Sequence, residues 1–402
     1  MSLILGKNRS LTLAIATTQY KWAGGIDLIF MITDGLLEIS KELGHRVIIL
    51  QAGTGPFSLL RDIRESIRHG IFSDVGPRST KSAALELDAS SFGARGAREM
   101  RIDAGPIAFA TALWRSGADV VLPLSSPPFF GNYVPWVGYI YDFQHKYLPQ
   151  FFSPNERLAR DKRFDRMLST AKVVIVTSRA VAEDIKRFHP GRPAKVVVLP
   201  FAPAAIPNFF EDYTDAIANY SLPERYFIIC NQFWLHKDHM TAFKALKVLL
   251  NENSDVSVVC TGATDPERLL KILEWIDANE MSDKVRILGH IPKRHQIEIM
   301  KRAIAVIQPT LFEGAPGGGS VCDAIGLGVP AIISDIPVNR EIENDAVHFF
   351  TAGDPPALSK QMWKLIHNPP ARPGPEALIK EGRLRRKILG KVVLEAVSLA
   401  MP

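Results

Sequence analysis

Cysteine is scarce in this chain: Cys230, Cys260 and Cys322 are the only thiols in 402 residues, and their spacing is unpaired. That excludes a small disulfide-held secreted scaffold and fits reduced, structural thiols in a cytosol. No uninterrupted apolar run reaches the roughly 18 residues that a spanning helix needs. The longest are strand-length stretches such as Val120 to Leu124 and Val329 to Ile333, so no transmembrane span is expected. Met1 to Ser10 carries Lys7 and Arg9 ahead of an apolar stretch too short for a leader, with no small-residue cleavage site behind it. A cytoplasmic protein without a secretory signal is the expectation. Charge of one sign is also nearly absent in excess, since 48 basic residues face 42 acidic ones for a net charge of +6. Such an excess suits an anionic substrate or a peripheral membrane contact and makes no nucleic-acid surface.

What is present is an ordinary globular balance, 47% hydrophobic and 22% charged, in a chain long enough for two or three domains at roughly 150 residues each. The first fifty residues read strand, helix, strand. An apolar run from Leu11 to Thr17 leads to a loop ending in Gly24 and Gly25, a helix runs from about Ile26 to Leu43, Gly44 stops it, and Arg46 to Leu50 follows. Leu28, Ile29, Ile32, Leu36, Ile39 and Leu43 recur at helical spacing and give that helix one face to lay on a sheet. Residues 53–104 are rich in arginine and small residues and show no clear period, so they receive no assignment. Strand signals return at Val120 to Leu124, Trp136 to Tyr141, Lys172 to Thr177 and Lys195 to Leu199, with a helix at Ala180 to Phe188. The proline-rich segment Pro200 to Pro223 has the composition of an interdomain connection.

Beyond it the alternation restarts. Strands are expected at Tyr226 to Asn231, Val256 to Thr261, Val285 to Gly289, Ala305 to Pro309 and Val329 to Ser334. Helices fall between them near Met240 to Asn251, Pro266 to Asn279, Lys293 to Ala303 and Ser320 to Leu327. Strict alternation with nearly continuous apolar strands means a parallel sheet covered on both faces. The resulting reading is α/β with residues 1–202 as one Rossmann-like domain, 203–380 as a second, and 381–402 as a terminal helix crossing back to the first. In such sheets ligands bind beyond the carboxyl ends of the strands, so the loops there should carry the chemistry.

Three such loops stand out. Leu311 to Ser320, LFEGAPGGGS, follows a strand and opens a helix. Its glycine run lets backbone N–H groups close on a ligand at the positive end of a helix, which suits a phosphate or diphosphate, although a merely flexible glycine loop would have the same composition. No Gly-Lys-Ser/Thr makes it a Walker loop. Glu313 in this loop repels phosphate and is better matched to sugar hydroxyls. Asn231 to His239, NQFWLHKDH, places the compact ammonium of Lys237 at a helix start, with Asp238 as a cap. His236 and His239 lack a third metal ligand at a matching spacing, so no metal is expected. Tyr139 to Pro149 ends a first-domain strand in Asp142, Gln144, His145 and Lys146, polar groups that either line a cleft or cap the next helix.

Together these segments resemble the retaining glycosyltransferases of family 4, which have the GT-B architecture of two facing Rossmann-like domains. The resemblance rests on Leu311 to Ile342, with Glu-Gly, then DAIGLGVP from Asp323 to Pro330, then SDIPVNRE from Ser334 to Glu341. It is supported by FWLHKDH at 233–239, DFQH at 142–145, LPQFF at 148–152 and VTSRAVAED at 176–184, and it covers about residues 11–51 and 136–367.

The resemblance implies that Glu313 binds hydroxyls of the donor sugar and Lys237 the diphosphate. The loop through Gly314, Gly317, Gly318, Gly319 and Ser320 would add backbone donors, and Asp323 would hold the ribose. Gly24 and Gly25 match the first-domain glycine loop that approaches the diphosphate, and His145 is the first-domain polar contact near acceptor or sugar. Two positions depart from the family pattern: nine residues separate Glu313 from Asp323 where the family has seven, and Gln232 stands where an arginine is usual. Diphosphate neutralisation would then lean on Lys237, helped by Arg340 or a first-domain arginine.

The implied activity is metal-independent, retaining transfer of a hexose from a GDP- or UDP-sugar to a hydroxyl of a glycan or lipid-linked acceptor. No cofactor is required, and polysaccharide biosynthesis, mannosyl transfer included, is the expected setting. No Asp-x-Asp tripeptide occurs, in keeping with a site that holds no metal. A sugar-nucleotide epimerase on the same scaffold and a non-catalytic nucleotide-sugar binding subunit are the alternatives.

Overall fold

The computed structural model describes residues 10–20, 23–52, 97–102, 105–128, 134–252 and 254–402. The segment before residue 10 and most of the unassigned stretch, 53–96 and 103–104, lie outside them. The chain divides into two compact units, residues 1–200 with 386–402, and residues 201–385.

In the first unit seven strands form one parallel sheet: β1 (Thr12–Ala16), β2 (Arg46–Ala52), β3 (Arg98–Ile102), β4 (Val120–Leu124), β5 (Trp136–Tyr139), β6 (Val173–Val176) and β7 (Lys195–Val198), in the order β3-β2-β1-β4-β5-β6-β7. Every residue of β1, β4, β5 and β6 is buried, as expected for strands covered by helices on both faces. β3 is different. Its sequence REMRI has two exposed arginines and occupies the sheet edge, where one flank of the strand meets solvent, which is why no apolar run announces it. The sheet order reverses between β1 and β4, and Gln19, just past β1, bridges that reversal: its Oε1 accepts the N–H groups of Ser125 at 2.7 Å and Ser126 at 3.1 Å. The first helix runs Ala23–Leu43, so Gly24 and Gly25 sit in its first turn rather than in a loop before it, and Gly44 at φ 70° closes it.

The second unit repeats the plan with β8 (Tyr226–Cys230), β9 (Ser257–Thr261), β10 (Val285–Ile287), β11 (Val306–Gln308), β12 (Ala331–Ser334) and β13 (Val347–Phe350), all parallel, in the order β10-β9-β8-β11-β12-β13. Side chains alternate between two cores. Phe227, Ile229, Val258, Cys260, Ile307 and Ile332 enter one, while Tyr226, Ile228, Val259, Val306 and Ile333 enter the other. The period of two with both faces apolar explains why the sequence shows runs instead of alternation. Burial pushes the Cys230 thiol up to about 12 and that of Cys260 higher still, so these strand-end cysteines are protonated and inert.

The loop after β8 is seated by two histidines. His239 opens the helix His239–Asn251 and stacks on Phe233, ring centroids 4.0 Å apart and 11° from parallel. His236 and His239 are both buried, and desolvation pushes each down to about 3, so both rings are neutral in the folded state. Asp238, at φ 47°, caps the helix through the Thr241 N–H and accepts the Thr241 hydroxyl at 2.6 Å.

The last helix, Pro375–Ala400, packs closest at its glycines. A Cβ on Gly390 would meet the Gly35 carbonyl carbon at 2.7 Å, backbone against backbone, with no rotamer available to relieve it. Gly390→Ala should therefore lower stability by about 1 to 3 kcal/mol despite its better helix propensity. Gly374→Ala, where a Cβ meets nothing within 4 Å, should be close to neutral, and urea unfolding of the two variants compares them. The buried histidines generate a second expectation. Because their folded values lie below that of a free imidazole, the unfolded chain binds more protons under pH 6.5, and stability is full above that pH and falls on acidification. Each ring contributes a slope of up to about 1.4 kcal/mol per pH unit, and His239→Phe, which keeps the stack, should flatten the urea-midpoint profile between about pH 6.5 and 5.

Candidate functional site

The strand order of the second sheet reverses between the parallel neighbours β8 and β11, joined through the Val306 and Ile228 register, so the loops leaving these two strands emerge side by side. The chain locks them together: the His236 carbonyl accepts the Leu311 N–H at 2.7 Å and the Thr310 hydroxyl at 3.1 Å. Lys237 ends a short 3-10 turn, Leu235–Lys237, and its ammonium pairs with Glu313 from the other loop. Only 13% of the lysine side chain and 12% of the glutamate side chain are exposed, so the pair is largely withdrawn from screening by water.

Behind the pair stands Gln308, the last residue of β11, whose Nε2 donates to Glu313 Oε1 at 2.9 Å. Its Oε1 accepts from Asn231 Nδ2, just past β8, and from the Ser320 hydroxyl at 3.3 Å. The glycine loop then turns into the helix Gly318–Gly326, two residues earlier than the sequence suggests. Gly317 and Gly318 adopt φ of 63° and 64°, the left-handed region that disfavours side chains, and this is how the chain enters a helix without a side-chain cap. Asn339 replaces that cap from outside. Its Oδ1 accepts the Gly317 N–H at 2.9 Å while its Nδ2 donates to the Ser334 carbonyl at 2.9 Å, and the residue is fully buried. Gly318, Gly319 and Ser320 thus form the first turn of a helix, whose leading N–H groups have no partner within the helix and point a partial positive charge outward.

Asp323 lies farther along this helix, half-buried, in an ion pair with Lys293, the more exposed partner and the first residue of the helix Lys293–Arg302. Lys293 also donates to Gln296 Oε1 at 3.3 Å, and Gln296 Nε2 donates to Thr261 Oγ1 at 2.8 Å. Glu313, Lys237, Gly317, Gly318, Gly319, Ser320 and Asp323 are therefore gathered around the ends of β8 and β11, and Gly314 follows Glu313 in the same loop.

His145 belongs to the first unit, and its side chain is not exposed at all. Its Nε2 meets Asp161 Oδ1 at 2.8 Å, its ring packs among Phe143, Phe152 and Phe164, and burial lowers its pKa. As positioned the ring is enclosed, with Asp161 and three phenylalanines around it. The strand end was polar in sequence, but the fold turns those groups onto one another: Asp142 accepts the Gln144 N–H at 2.9 Å and Lys146 donates to Asp161 at 2.7 Å. Arg340 is engaged with Asp335 at 3.1 Å and lies over the Phe349 ring at 4.6 Å. Gln232 is exposed, and the guanidinium that braces this loop comes instead from Arg268, which donates to the Phe233 carbonyl at 2.6 Å. Gly24 is exposed and Gly25 buried, within the first unit's opening helix.

Sequence reasoning missed Gln308, Asn339, Lys293 and Arg268. For Gln308 one signal was available, an amide closing an otherwise apolar strand immediately before Pro309 and the glycine loop. Among the described residues no group of three or more His, Cys, Asp or Glu side chains is placed to hold a metal ion, and no helix is long and apolar enough to cross a membrane.

Residues 215–385 match the family model of glycosyl transferases group 1. No curated protein sequence matches the chain. Among solved structures, sucrose-phosphate synthase from Thermosynechococcus elongatus shares the fold at a TM-score of 0.62 and 16% identity, over 96% of this chain and 97% of that one. A glycosyltransferase from Rickettsia africae does so at 0.62 and 14% over 96% and 97%, and Anabaena Alr3699/HepE in complex with UDP at 0.57 and 14% over 97% of each chain. The protein thus has the GT-B fold of two Rossmann-like domains, and over residues 215–385 it is similar to the group 1 glycosyl transferases.

Proposed function

We propose that this protein is a retaining, metal-independent glycosyltransferase that moves a hexose from a nucleotide diphosphate sugar, a GDP- or UDP-sugar, to a hydroxyl of a glycan or lipid-linked acceptor. One observation carries the reading: Lys237 and Glu313, distant in sequence, meet at the reversal point of the second sheet beside a helix that opens on glycines. The match over residues 215–385 supports the reaction class. Alr3699/HepE, a structure of the same fold, is known in complex with UDP and with UDP-glucose, which supports a nucleotide sugar as donor.

In this reading the ammonium of Lys237 and the leading amides of the helix Gly318–Gly326 take the diphosphate, and Glu313 accepts hydrogen bonds from sugar hydroxyls. Asp323, paired with Lys293, accepts from the ribose. As the anomeric C–O bond to the phosphate breaks, negative charge grows on the departing diphosphate, and fixed donors aimed there lower the barrier more than they stabilise the intact donor. The acceptor oxygen bonds to the anomeric carbon on the face that the phosphate leaves, and its proton passes to the diphosphate, so no protein nucleophile is needed.

Lys237→Ala and Glu313→Ala should each reduce nucleoside diphosphate release from the donor by about two orders of magnitude or more, the scale of losing one aligned charge stabiliser. Transfer at the normal rate by either folded variant contradicts the assignment. Thermal shift across UDP, GDP and their sugars identifies the base, since a ligand at 100 times its dissociation constant stabilises the fold by about 2.7 kcal/mol. Epimerised nucleotide sugar formed without acceptor would indicate an epimerase, and binding without any turnover a non-catalytic subunit.

A further inference from the structure

Gln308 is 1% exposed and uses both ends of its amide. Its Nε2 donates to Glu313 Oε1 while its Oε1 accepts from Asn231 Nδ2 and from the Ser320 hydroxyl. This orientation is the one the neighbours allow, because turning the amide over would set oxygen against the Glu313 carboxylate and NH2 against the Asn231 NH2. Gln308 is thereby tied at once to the end of β8, to the first turn of the glycine-opened helix and to the acid between them.

The arrangement is also asymmetric at Glu313. Lys237 and Gln308 both engage Oε1. Oε2 faces Gly318, whose missing Cβ would lie 3.9 Å from it, and among the described residues no hydrogen bond reaches that oxygen. Lys237 has a second task in the proposed reaction, since it also faces the diphosphate. A carboxylate held by that ammonium alone would compete with phosphate for it.

We infer that Gln308 is a positioning residue for this site: its amide fixes Glu313 so that Oε2 is the atom offered to the donor sugar, and it holds the carboxylate in place when Lys237 turns to the diphosphate. The inference rests on the proposed transferase reading and adds a residue to it. The amide also anchors the acid and Ser320 to the same strand end.

The test compares Gln308→Leu, Gln308→Glu and Glu313→Ala with the wild-type chain. It uses nucleoside diphosphate release from the sugar nucleotide that the thermal-shift panel selects, and calorimetric binding of the free diphosphate. Gln308→Leu should lower kcat by about 10- to 100-fold, the range for losing a hydrogen bond to a charged group, while the affinity for free diphosphate changes by less than about three-fold. Gln308→Glu sets two carboxylates face to face, which favours sharing one proton between them. Its rate relative to wild type should be lowest at pH 8 and recover by about ten-fold or more toward pH 6, a profile that a merely space-filling role would not produce.

A wild-type kcat for Gln308→Leu, a flat pH ratio for Gln308→Glu, or equal losses of diphosphate affinity and turnover would each overturn the positioning role. Should Gln308→Leu fail to fold, the pH ratio of Gln308→Glu decides alone. Wild-type turnover by Glu313→Ala removes the underlying site reading itself, whereas an inactive Glu313→Ala beside a fully active Gln308→Leu removes only the role of Gln308.

Discussion

A half-buried ammonium and carboxylate, brought together from two loops, are the constraint on which the second unit's site is built. Withdrawing either charge from water is costly, and pairing offsets part of that cost. Their meeting depends on backbone structure that holds no charge at all: parallel β8 and β11 are neighbours, so the turn containing Lys237 and the loop containing Glu313 leave the sheet together. The His236 carbonyl then ties one loop to the other through Leu311 and Thr310. Buried neutral histidines are suited to that place, since a charged imidazole beside Lys237 would oppose the same ammonium.

The glycine loop solves a related problem. The helix Gly318–Gly326 opens without a capping side chain of its own. Here Gly317 and Gly318 take the left-handed turn, and the polar satisfaction a cap would provide comes from Asn339, buried beside Ser334. The support of the site is thus amide chemistry, Gln308 under the acid and Asn339 under the turn, beside the ion pairs of Lys237 with Glu313 and Lys293 with Asp323. Neutral amides suit this task because they donate and accept in fixed directions without adding net charge.

Much of this was legible before the structure. Buried strands such as β1, β4, β8 and β12 are apolar because helices cover both faces, and helices such as His239–Asn251 and Pro266–Ala278 have a cap or proline at the start. Asp238 was recognisable as a cap from its position alone. What escaped were elements whose stability is not written locally. Edge strand β3 needs no apolar run, and the strand Val347–Phe350 and helix Pro355–His367 are short or end-capped within a region without strong periodicity. His145 shows the converse situation. Polar residues clustered at a strand end suggested exposure, yet Asp161, sixteen residues on, reaches back to pair with the ring among three phenylalanines.

The amino-acid order alone settled the alternation of apolar runs and amphipathic helices, and with it two parallel α/β sheets. It settled too that glycine, glutamate and lysine fall in loops past strand ends, because such preferences act over a few residues. Only the tertiary structure decided that Lys237 meets Glu313, that Gln308 stands under both loops, that Asn339 serves as a cap for Gly317 and that His145 is enclosed. Each of these joins residues whose separation along the chain carries no information about distance. Strand order and the packing of helices across the sheet set that distance, and both are properties of the whole domain.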